Sequence, residues 1–432
     1  MNKIISKNIC DGINLHLVTT EKFKTNLLSI YINIPYSKET ATISALLPMV
    51  LRRGTEKYPT LSMVAKQCEE LYGATLYSGL RKKGDNAFIY FSLEFVSDEY
   101  ITESIRQNAA EFLKEIIFSP KIENNAFNKT FVESEKNNLK DEIKGLINEK
   151  KEYADQRIRE ISFPDSPYGI PHFGYEEDVD NITESSLYAY YKKILSECKM
   201  DIFFSGTFEE KSAEELINKV FLPVLSPRNI KLPKTSTALT KSINEVKKVT
   251  EKMDIVQSKL CMMFYTSTPA YSNDYYAISV FNCIFGGSPF SKLFNNVREK
   301  LSLAYYVSSR VDRQKGTILI SSGIEGDKFK AAFDEIMLWL DKMQKGDFTD
   351  EEIISAKKYL ETNLNSAKDS LRVTEDYLLS GISEGEIPEE IDVLLEKIKN
   401  VTREEIINAA NKIKLDSVYL LTNLKGENIN EI

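Results

Sequence analysis

The pattern of hydrophobic and polar positions predicts a mixed order of strands and helices in the first half of the chain. An apolar, β-branched run at 27–35 ends at a proline and predicts a strand. Apolar positions at helical spacing predict a helix at 44–53, where Pro48 is tolerable only in a first turn or at a kink. Thr60 is a candidate N-cap for the next helix. By the same criteria, helices are predicted at 60–71, 100–117, 127–161 and 187–195, and strands within 74–94 and at 200–205.

A stretch rich in proline, serine and threonine, residues 221–245, interrupts this pattern and predicts an extended connector. Beyond it the alternation of strands and helices starts again. Strands are predicted at 259–266, 303–308, 317–322 and 417–422, and helices at 275–285, 291–300, 329–343, 349–370 and 401–412. The sequence therefore predicts an N-terminal α+β half at 1–220, a linker at 221–245 and a C-terminal α+β half at 246–432.

The second half repeats the order of elements of the first half. Thr183 and Thr402 each precede a helix that leads to a strand, and they lie 219 residues apart (402 − 183). The opening strands at Leu28 and Leu260 lie 232 residues apart (260 − 28). These offsets predict a tandem duplication of one α+β unit of roughly 200 residues. The alternative is that two unrelated α+β domains share the same general order of helices and strands.

Composition narrows the class of protein. Hydrophobic residues make up 42% and charged residues 28% of the 432 residues, which is typical of a globular chain. The net charge of −8 argues against a nucleic-acid-binding surface over the whole chain. No apolar run is long enough for a transmembrane helix, and the first residues lack the apolar core of a signal peptide. The five cysteines are odd in number and lack C-x-x-C spacing, so reduced thiols and a cytoplasmic location are expected.

The histidine count excludes the local zinc motifs of metallopeptidases. The two histidines, His16 and His172, lie far apart, so neither H-E-x-x-H nor H-x-x-E-H can occur. We expect structural roles for both, His16 near the start of a strand and His172 bonded to backbone in a turn. The sequence also lacks G-x-S-x-G, G-x-x-x-x-G-K-[ST] and G-x-G-x-x-G, which removes support for a serine-hydrolase elbow or a nucleotide site.

The segment 283–308 carries the most specific candidate chemistry. A buried helix ends at Gly286-Gly287, a pair that permits a tight, left-handed turn. A second helix carries Arg298, and Tyr305 follows seven residues later (305 − 298). A guanidinium fork and a phenol hydroxyl that converge on one point can hold a peptide carbonyl and stabilise charge on it. The alternative is a solvated arginine on a charged helix and a half-buried tyrosine.

Residues 286–305 resemble the C-terminal-half signature of the insulinase/pitrilysin/mitochondrial-processing-peptidase family. That signature is a Gly-Gly pair, a short helix with Leu-Phe and then R-E-K-x-x-L-A-Y, which this chain has at 286–287, 293–294 and 298–305. Weaker matches follow the family order along nearly the whole chain, at 53–55, 166–174, 182–208 and 401–402. The resemblance implies two tandem α/β-sandwich halves, each an antiparallel sheet with helices. It also implies that Arg298 and Tyr305 contact the substrate backbone near the scissile carbonyl.

The metal motif of this family is missing from the chain. Active halves carry H-x-x-E-H a few residues before Lys-Gly-Thr, but the corresponding window, 45–49, reads Ala-Leu-Leu-Pro-Met. Glu135 and Glu142 have the spacing of the family's later glutamates, so Glu142 stands where the third ligand would be; alternatively, both lie on a solvated helix face. A lone carboxylate does not hold catalytic zinc, which usually has three protein ligands. We therefore predict no catalytic residue, no metal and no other cofactor in this chain.

Three functions follow from these observations. The first is a metal-free subunit of a heterodimeric zinc peptidase, in which a homologous partner carries H-x-x-E-H and the zinc. This chain would supply Arg298 and Tyr305 to position the peptide substrate and stabilise the oxyanion. The second is a peptide-binding or scaffold protein of the same fold with no role in proteolysis. The third, a self-sufficient hydrolase, lacks a recognisable pair of nucleophile and base. We expect the first.

Overall fold

The structure, a computed structural model, describes residues 3–227, 245–270, 272–386 and 388–424. Its strands are β1 Lys3–Cys10, β2 Ile13–Thr19, β3 Thr25–Ile34, β4 Thr75–Lys83, β5 Asn86–Val96, β6 Ile122–Glu123, β7 Ala126–Phe127, β8 Lys199–Gly206, β9 Lys247–Lys252, β10 Ser258–Tyr265, β11 Ala304–Asp312, β12 Thr317–Ile324 and β13 Lys414–Thr422. Its α-helices are α1 Lys38–Leu51, α2 Leu61–Glu70, α3 Arg106–Phe118, α4 Lys129–Asn148, α5 Lys150–Ser162, α6 Glu176–Val179, α7 Glu184–Glu197, α8 Glu210–Phe221, α9 Asp274–Asn282, α10 Phe329–Gln344, α11 Asp350–Ala367, α12 Leu371–Ile382, α13 Ile391–Asn400 and α14 Arg403–Ala410.

Apart from β6 and β7, which pair with each other, these strands form two large sheets that share one strand order. The first sheet runs β4-β5-β3-β8-β2-β1, and the second runs β11-β12-β10-β13-β9. The parallel pairings are β2 with β8 in the first sheet and β9 with β13 in the second, and the other pairings in both sheets are antiparallel. The matching order and direction confirm the predicted duplication of an α+β unit. The first sheet differs by the additional edge strand β1.

The same capping chemistry starts the equivalent helices of the two halves. The side chain of Thr183 accepts a hydrogen bond from the N–H of Ser186 at the start of α7, and Thr402 accepts one from Glu405 at the start of α14. Both sites are complete capping boxes, which satisfy N–H groups that a helix otherwise leaves unpaired. Thr60 caps α2 in a similar way, as predicted.

Contacts within the chain divide it into two compact units that exchange short segments. The first unit contains the described residues of 3–144, 170–227 and 369–379, and the second contains those of 145–169, 245–368 and 380–424. Each unit is therefore completed by a segment from the other half of the sequence, which the hydrophobic pattern did not indicate. The predicted linker lies outside the described residues from 228 to 244, so the boundaries at 221–245 stay a prediction.

A buried carboxyl group attaches each exchanged segment to its sheet. Asp155 of α5 is 2% exposed and accepts hydrogen bonds from the Ser321 hydroxyl and, at 3.6 Å, from the Cys261 thiol. Glu375 of α12 is fully buried and accepts a 2.6 Å hydrogen bond from the Ser205 hydroxyl. Buried carboxyl groups are costly without hydrogen-bond partners. In each unit, a serine hydroxyl on a strand thus donates a hydrogen bond that the buried carboxyl group of the exchanged helix requires.

Some helix boundaries differ from the prediction for identifiable reasons. The charged stretch at 127–161 forms two helices, α4 and α5, with Glu149 between them. The helix predicted from residue 100 begins only at Arg106, because Asp98–Tyr100 forms a 3-10 turn first. The Asp98 carboxylate accepts a hydrogen bond from the N–H of Ile105 at 3.2 Å, which fixes the later start. Apolar Tyr100 and Ile101 extended the helical pattern into this turn.

The helices are amphipathic. In α8, for example, Ala213, Ile217, Val220 and Phe221 are buried and the rest of the helix is polar or half-exposed. Among the described residues, no helix combines the length and the apolar character needed to cross a membrane.

Candidate functional site

Arg298 lies on a π-helix in the second unit. The helix predicted at 291–300 is present at 292–300 in the structure. Its residues Phe294–Lys300 have π-helical rather than α-helical hydrogen bonding. Val297 is fully buried and holds the helix against the unit, whereas the neighbouring Arg298 side chain is 43% exposed. The guanidinium lies 4.7 Å from the centre of the Phe294 ring and 3.4 Å from the Glu299 carboxylate. Short π-helical segments occur often at functional sites.

Tyr305 occupies a β-bulge at the start of β11. Ala304 pairs with Ile324 and Tyr306 with Gly323, so Tyr305 is an extra residue without its own partner on β12. A bulge turns the side chain away from its regular alternation, and bulges are frequent next to active sites. Tyr305 is accordingly 59% exposed.

Arg298 and Tyr305 line the same open pocket. The loop between them contains Ser302, whose φ of +48° is left-handed and unfavourable for a serine. The pocket has a volume of about 380 Å³. Its lining consists of Arg298, Glu299, Ser302, Leu303, Ala304, Tyr305, Glu325 and Lys328. A π-helix, a left-handed serine and a bulge within twelve residues (294 to 305) are backbone irregularities of the kind that cluster at functional sites.

Two of the lining residues, Glu325 and Lys328, were not predicted from the sequence. Glu325 directly follows β12, whose last residue pairs opposite the bulge, and its carboxylate accepts a 3.5 Å hydrogen bond from the Tyr305 hydroxyl. The Lys328 ammonium lies 3.0 Å from this carboxylate and donates to the Ser302 carbonyl at 3.3 Å. Only the strand pairing brings these residues to the pocket, because twenty residues separate Tyr305 from Glu325 (325 − 305). Two positive and two negative side chains thus balance the charge of the pocket.

The Gly-Gly pair supports this arrangement through close packing. Neither Gly286 nor Gly287 has a positive φ, so the left-handed turn that the pair permits is not formed here. A Cβ atom on Gly286 would lie 2.7 Å from the Ser309 hydroxyl oxygen and 2.9 Å from a methyl carbon of Leu293. A Cβ atom on Gly287 would lie 2.6 Å from the Asn282 side chain. The glycines end the π-helix Cys283–Gly287 and allow it to pack closely against β11 and the segment that leads into the Arg298 helix.

Replacing Gly286 by alanine should lower the free energy of unfolding by about 1–3 kcal/mol, the usual cost of overpacking. The neighbours cannot move easily, because Leu293 is fully buried and Ser309 donates a 2.6 Å hydrogen bond to Asn282. Urea unfolding checks this. Gly145→Ala is the control, since no atom lies within 4 Å of its Cβ position in α4, and alanine there should stabilise by about 0.5–1 kcal/mol. A stabilising Gly286→Ala would contradict the packing argument.

The degenerate metal window, 45–49, lies in the second half of α1 and carries no metal ligand set. Ala45, Leu46, Leu47 and Pro48 are buried, and the first three belong to the core cluster of the first unit. Pro48 lies inside the helix rather than in its first turn. Among the described residues, no group of three or more His, Cys, Asp or Glu side chains is arranged to bind a metal ion. The residues at this position therefore do not fit the zinc of the family's active members.

The two glutamates on α4 have different environments. Glu142 is exposed, as the solvated-face alternative expects. For Glu135 that alternative is wrong: the residue is 6% exposed, and its carboxylate lies 3.2 Å from the Arg53 guanidinium. The Asn138 amide also donates to it at 3.0 Å. Arg53 and Asn138 thus provide the positive charge and the hydrogen bond that a buried carboxylate requires.

Because α1 is packed by apolar side chains, we expect chelation to leave the melting temperature of the protein unchanged. A structural metal would stabilise the folded chain through its binding energy, and its removal would lower the melting temperature. The check is a thermal melt before and after dialysis against EDTA, together with a zinc determination on the untreated protein. A marked fall in melting temperature after EDTA would contradict the metal-free assignment.

The histidines and cysteines have structural surroundings. His16 is buried, stacks on Phe203 at 4.6 Å, and bonds Asp201 through Nε2 at 3.0 Å and Ser6 through Nδ1 at 2.8 Å. His172 lies in its predicted turn, where burial lowers its pKa to about 4 and the nearby lysine and arginine charges add to this effect. All five cysteines are free thiols, and three of them are buried.

Comparisons with known proteins agree with these features. A family profile described as the peptidase M16 inactive domain matches residues 181–360. The chain is 34% identical over 429 residues to the probable inactive metalloprotease YmfF of Bacillus subtilis, covering 99% of each chain. It is 25% identical over 334 residues to the uncharacterized zinc protease YmxG of the same organism, covering 75% of each. A crystal structure of a conserved protein from Enterococcus faecalis superposes with a TM-score of 0.91 at 31% identity, covering 98% of this chain and 100% of that one.

Two comparisons support membership of one family: the full-length similarity to a probable inactive metalloprotease and the match to the peptidase M16 inactive domain. The apolar residues at 45–49 agree with both. The duplicated sheets are the architecture that the family resemblance implied. The chain therefore belongs to the M16 family of metallopeptidases, the insulinase/pitrilysin/mitochondrial-processing-peptidase family, and has apolar residues at 45–49 in place of the family's H-x-x-E-H motif.

Proposed function

We propose that this chain is the substrate-positioning subunit of a two-subunit zinc peptidase. A homologous partner with H-x-x-E-H would supply the metal chemistry. Arg298 and Tyr305 would bind the peptide backbone at the scissile bond, and the Arg298 guanidinium would stabilise negative charge on the carbonyl oxygen. A peptide-binding or scaffold role without proteolysis is the alternative.

The observation that carries the proposal is the difference between the former metal window at 45–49 and the Arg298–Tyr305 pocket. Positions 45–49 are filled with apolar residues that pack in the core. The Arg298–Tyr305 pocket, by contrast, keeps an open volume and an irregular backbone that exposes both side chains. Such irregularities lower stability and persist where function needs them. A chain that no longer bound peptides would gain nothing from retaining these backbone irregularities.

The named relatives support a division of labour. Bacillus subtilis has both a probable inactive metalloprotease and an uncharacterized zinc protease that are similar to this chain. Relatives named as a probable inactive metalloprotease and as a zinc protease thus occur in one organism, as a mixed pair would require. We infer that the native host of this chain also has a metal-bearing homologue that binds it.

The decisive experiment is purification of a tagged copy from its native host, followed by mass spectrometric identification of bound proteins. We expect a stoichiometric chain of similar size that contains H-x-x-E-H. The two chains are then produced separately, and cleavage of a quenched fluorescent peptide is measured with each alone and with the mixture. Cleavage only by the mixture would support the proposal. A metal-bearing homologue that neither binds this chain nor needs it for cleavage would favour the scaffold alternative.

A further inference from the structure

We propose that Glu325 and Lys328 are positioning residues that fix the direction of the Tyr305 hydroxyl, so that Tyr305 accepts a hydrogen bond from a substrate N–H while Arg298 donates to a substrate carbonyl. This inference rests on the proposed function. It assigns a role to two residues that the family signature at 286–305 does not include.

The direction follows from the groups that meet in the pocket. An ionised carboxylate only accepts hydrogen bonds, so in its 3.5 Å contact with Glu325 the Tyr305 hydroxyl is the donor. A phenol has one proton and retains lone pairs on its oxygen. With the proton directed at Glu325, those lone pairs are available to a donor that enters the pocket. The main-chain N–H of a peptide is such a donor.

Lys328 keeps the carboxylate in place. Its ammonium lies 3.0 Å from one carboxylate oxygen of Glu325, which leaves the other oxygen for Tyr305. The same ammonium donates to the Ser302 carbonyl at 3.3 Å. Ser302 is the left-handed residue of the loop between Arg298 and Tyr305. One lysine therefore joins the strained loop to the group that orients the tyrosine.

The exposure of the Lys328–Glu325 ion pair indicates that it positions the Tyr305 hydroxyl rather than stabilises the fold. The Lys328 and Glu325 side chains are 33% and 49% exposed, and exposed pairs contribute little to folding. Several similar pairs occur elsewhere on the surface, such as Lys330 with Asp334 on α10. The Lys328–Glu325 pair differs from that one because both partners line the pocket and both contact its backbone or its tyrosine.

The test measures binding of a fluorescein-labelled pool of random-sequence peptides to the full-length chain by fluorescence anisotropy. Tyr305→Phe and Glu325→Gln should each weaken binding about 3- to 10-fold, the range expected for one hydrogen bond. The glutamine side chain can donate to the phenol, which removes the enforced direction. Glu325→Asp should recover part of the loss, and Lys328→Met should weaken binding less than Glu325→Gln. Lys330→Met is the matched control and should leave binding unchanged.

The double variant separates an indirect role from an independent one. If Glu325 acts through Tyr305, Glu325→Gln has no further effect in the Tyr305→Phe background, and melting temperatures stay close to that of the parent. If Glu325→Gln has no effect alone, or adds its full effect in that background, the positioning role is overturned while the proposed function stands. If neither Arg298→Ala nor Tyr305→Phe changes peptide binding, the proposed function itself fails.

Discussion

Replacing Arg298 by alanine should lower the turnover of the assembled two-subunit peptidase by about 10²-fold, the loss typical of removing one oxyanion donor. The effect belongs mainly in kcat, because the charge that the guanidinium stabilises is largest in the transition state. The side chain is half-exposed on a π-helix and is not part of the core, so the folded chain should not need it.

The geometry of Arg298 makes the lysine variant informative. The guanidinium presents several N–H donors in a planar fork, whereas the lysine ammonium is a compact point charge on a flexible stem. Arg298→Lys keeps the charge near the Phe294 ring and Glu299 but loses the fork. We therefore expect turnover between those of the parent and Arg298→Ala. Equal turnover for arginine and lysine would mean that charge alone matters.

The matched control is Lys300→Ala, which removes a positive charge from the same π-helix outside the lining of the pocket. Turnover and affinity for the partner should both be unaffected by it. Partner binding is measured for every variant, since a loss of association would also lower turnover. If an Arg298→Ala variant that still binds the partner has the kcat of the parent, the proposed role of Arg298 in stabilising the oxyanion is wrong.

The duplication and most elements of the fold could be predicted from the sequence. Thr183 and Thr402 were recognisable as equivalent helix starts, because capping uses a few residue types at fixed spacing. The exchange of α5 and of most of α12 could not be predicted in this way. Their apolar positions indicate a helix that packs on a sheet, but periodicity does not say which of two similar sheets it covers.

In the candidate site, too, the residues of a local motif could be predicted and those brought in by tertiary contacts could not. Arg298 and Tyr305 were identified through a sequence signature, and the structure brings them to one pocket. Glu325 and Lys328 reach that pocket through strand pairing, which short-range patterns do not encode. Glu135 was judged by its charged neighbours on α4, and its burial against Arg53 depends on tertiary contacts. Residues within one sequence motif could therefore be predicted, whereas contacts between residues distant in sequence could not.

Glu375 provides the second large prediction, which concerns the stability of the first unit. Its carboxyl group is fully buried under the first sheet's strands and accepts hydrogen bonds from Ser205 at 2.6 Å and Tyr31 at 3.4 Å. Burial raises its pKa to about 7 from an ordinary value of 4.5, and the Ser205, Ser29 and Tyr31 hydroxyls and the Arg81 charge offset only part of this. The adjacent Asp376 carries its own negative charge, which Arg81 and Lys83 neutralise at 2.6 and 2.7 Å.

The sign of the pH dependence follows from the raised pKa. Below about pH 4.5 the Glu375 carboxyl group is protonated in both the folded and the unfolded chain, so its own contribution to stability does not change with pH there. As the pH rises from 4.5 towards 7, the unfolded chain releases this proton while the folded chain retains it. The folded state therefore loses stability across this window and reaches a constant level above about pH 7. A shift of this size corresponds to about 3 kcal/mol, at about 1.4 kcal/mol per pKa unit.

Glu375→Gln should remove this loss, because glutamine has the shape of the protonated acid and does not ionise. Between pH 5 and pH 8, we expect the variant to gain about 2–3 kcal/mol of unfolding free energy relative to the parent, measured by urea unfolding at several pH values. Other titrating groups, including His172, are common to both proteins and cancel in the difference. Glu142→Gln on exposed α4 is the control and should follow the parent at every pH. If the stability curves of Glu375→Gln and the parent run parallel over this range, Glu375 is ionised in the folded chain, and the hydroxyls of Ser205 and Tyr31 with the charge of Arg81 hold a buried anion instead of a neutral acid.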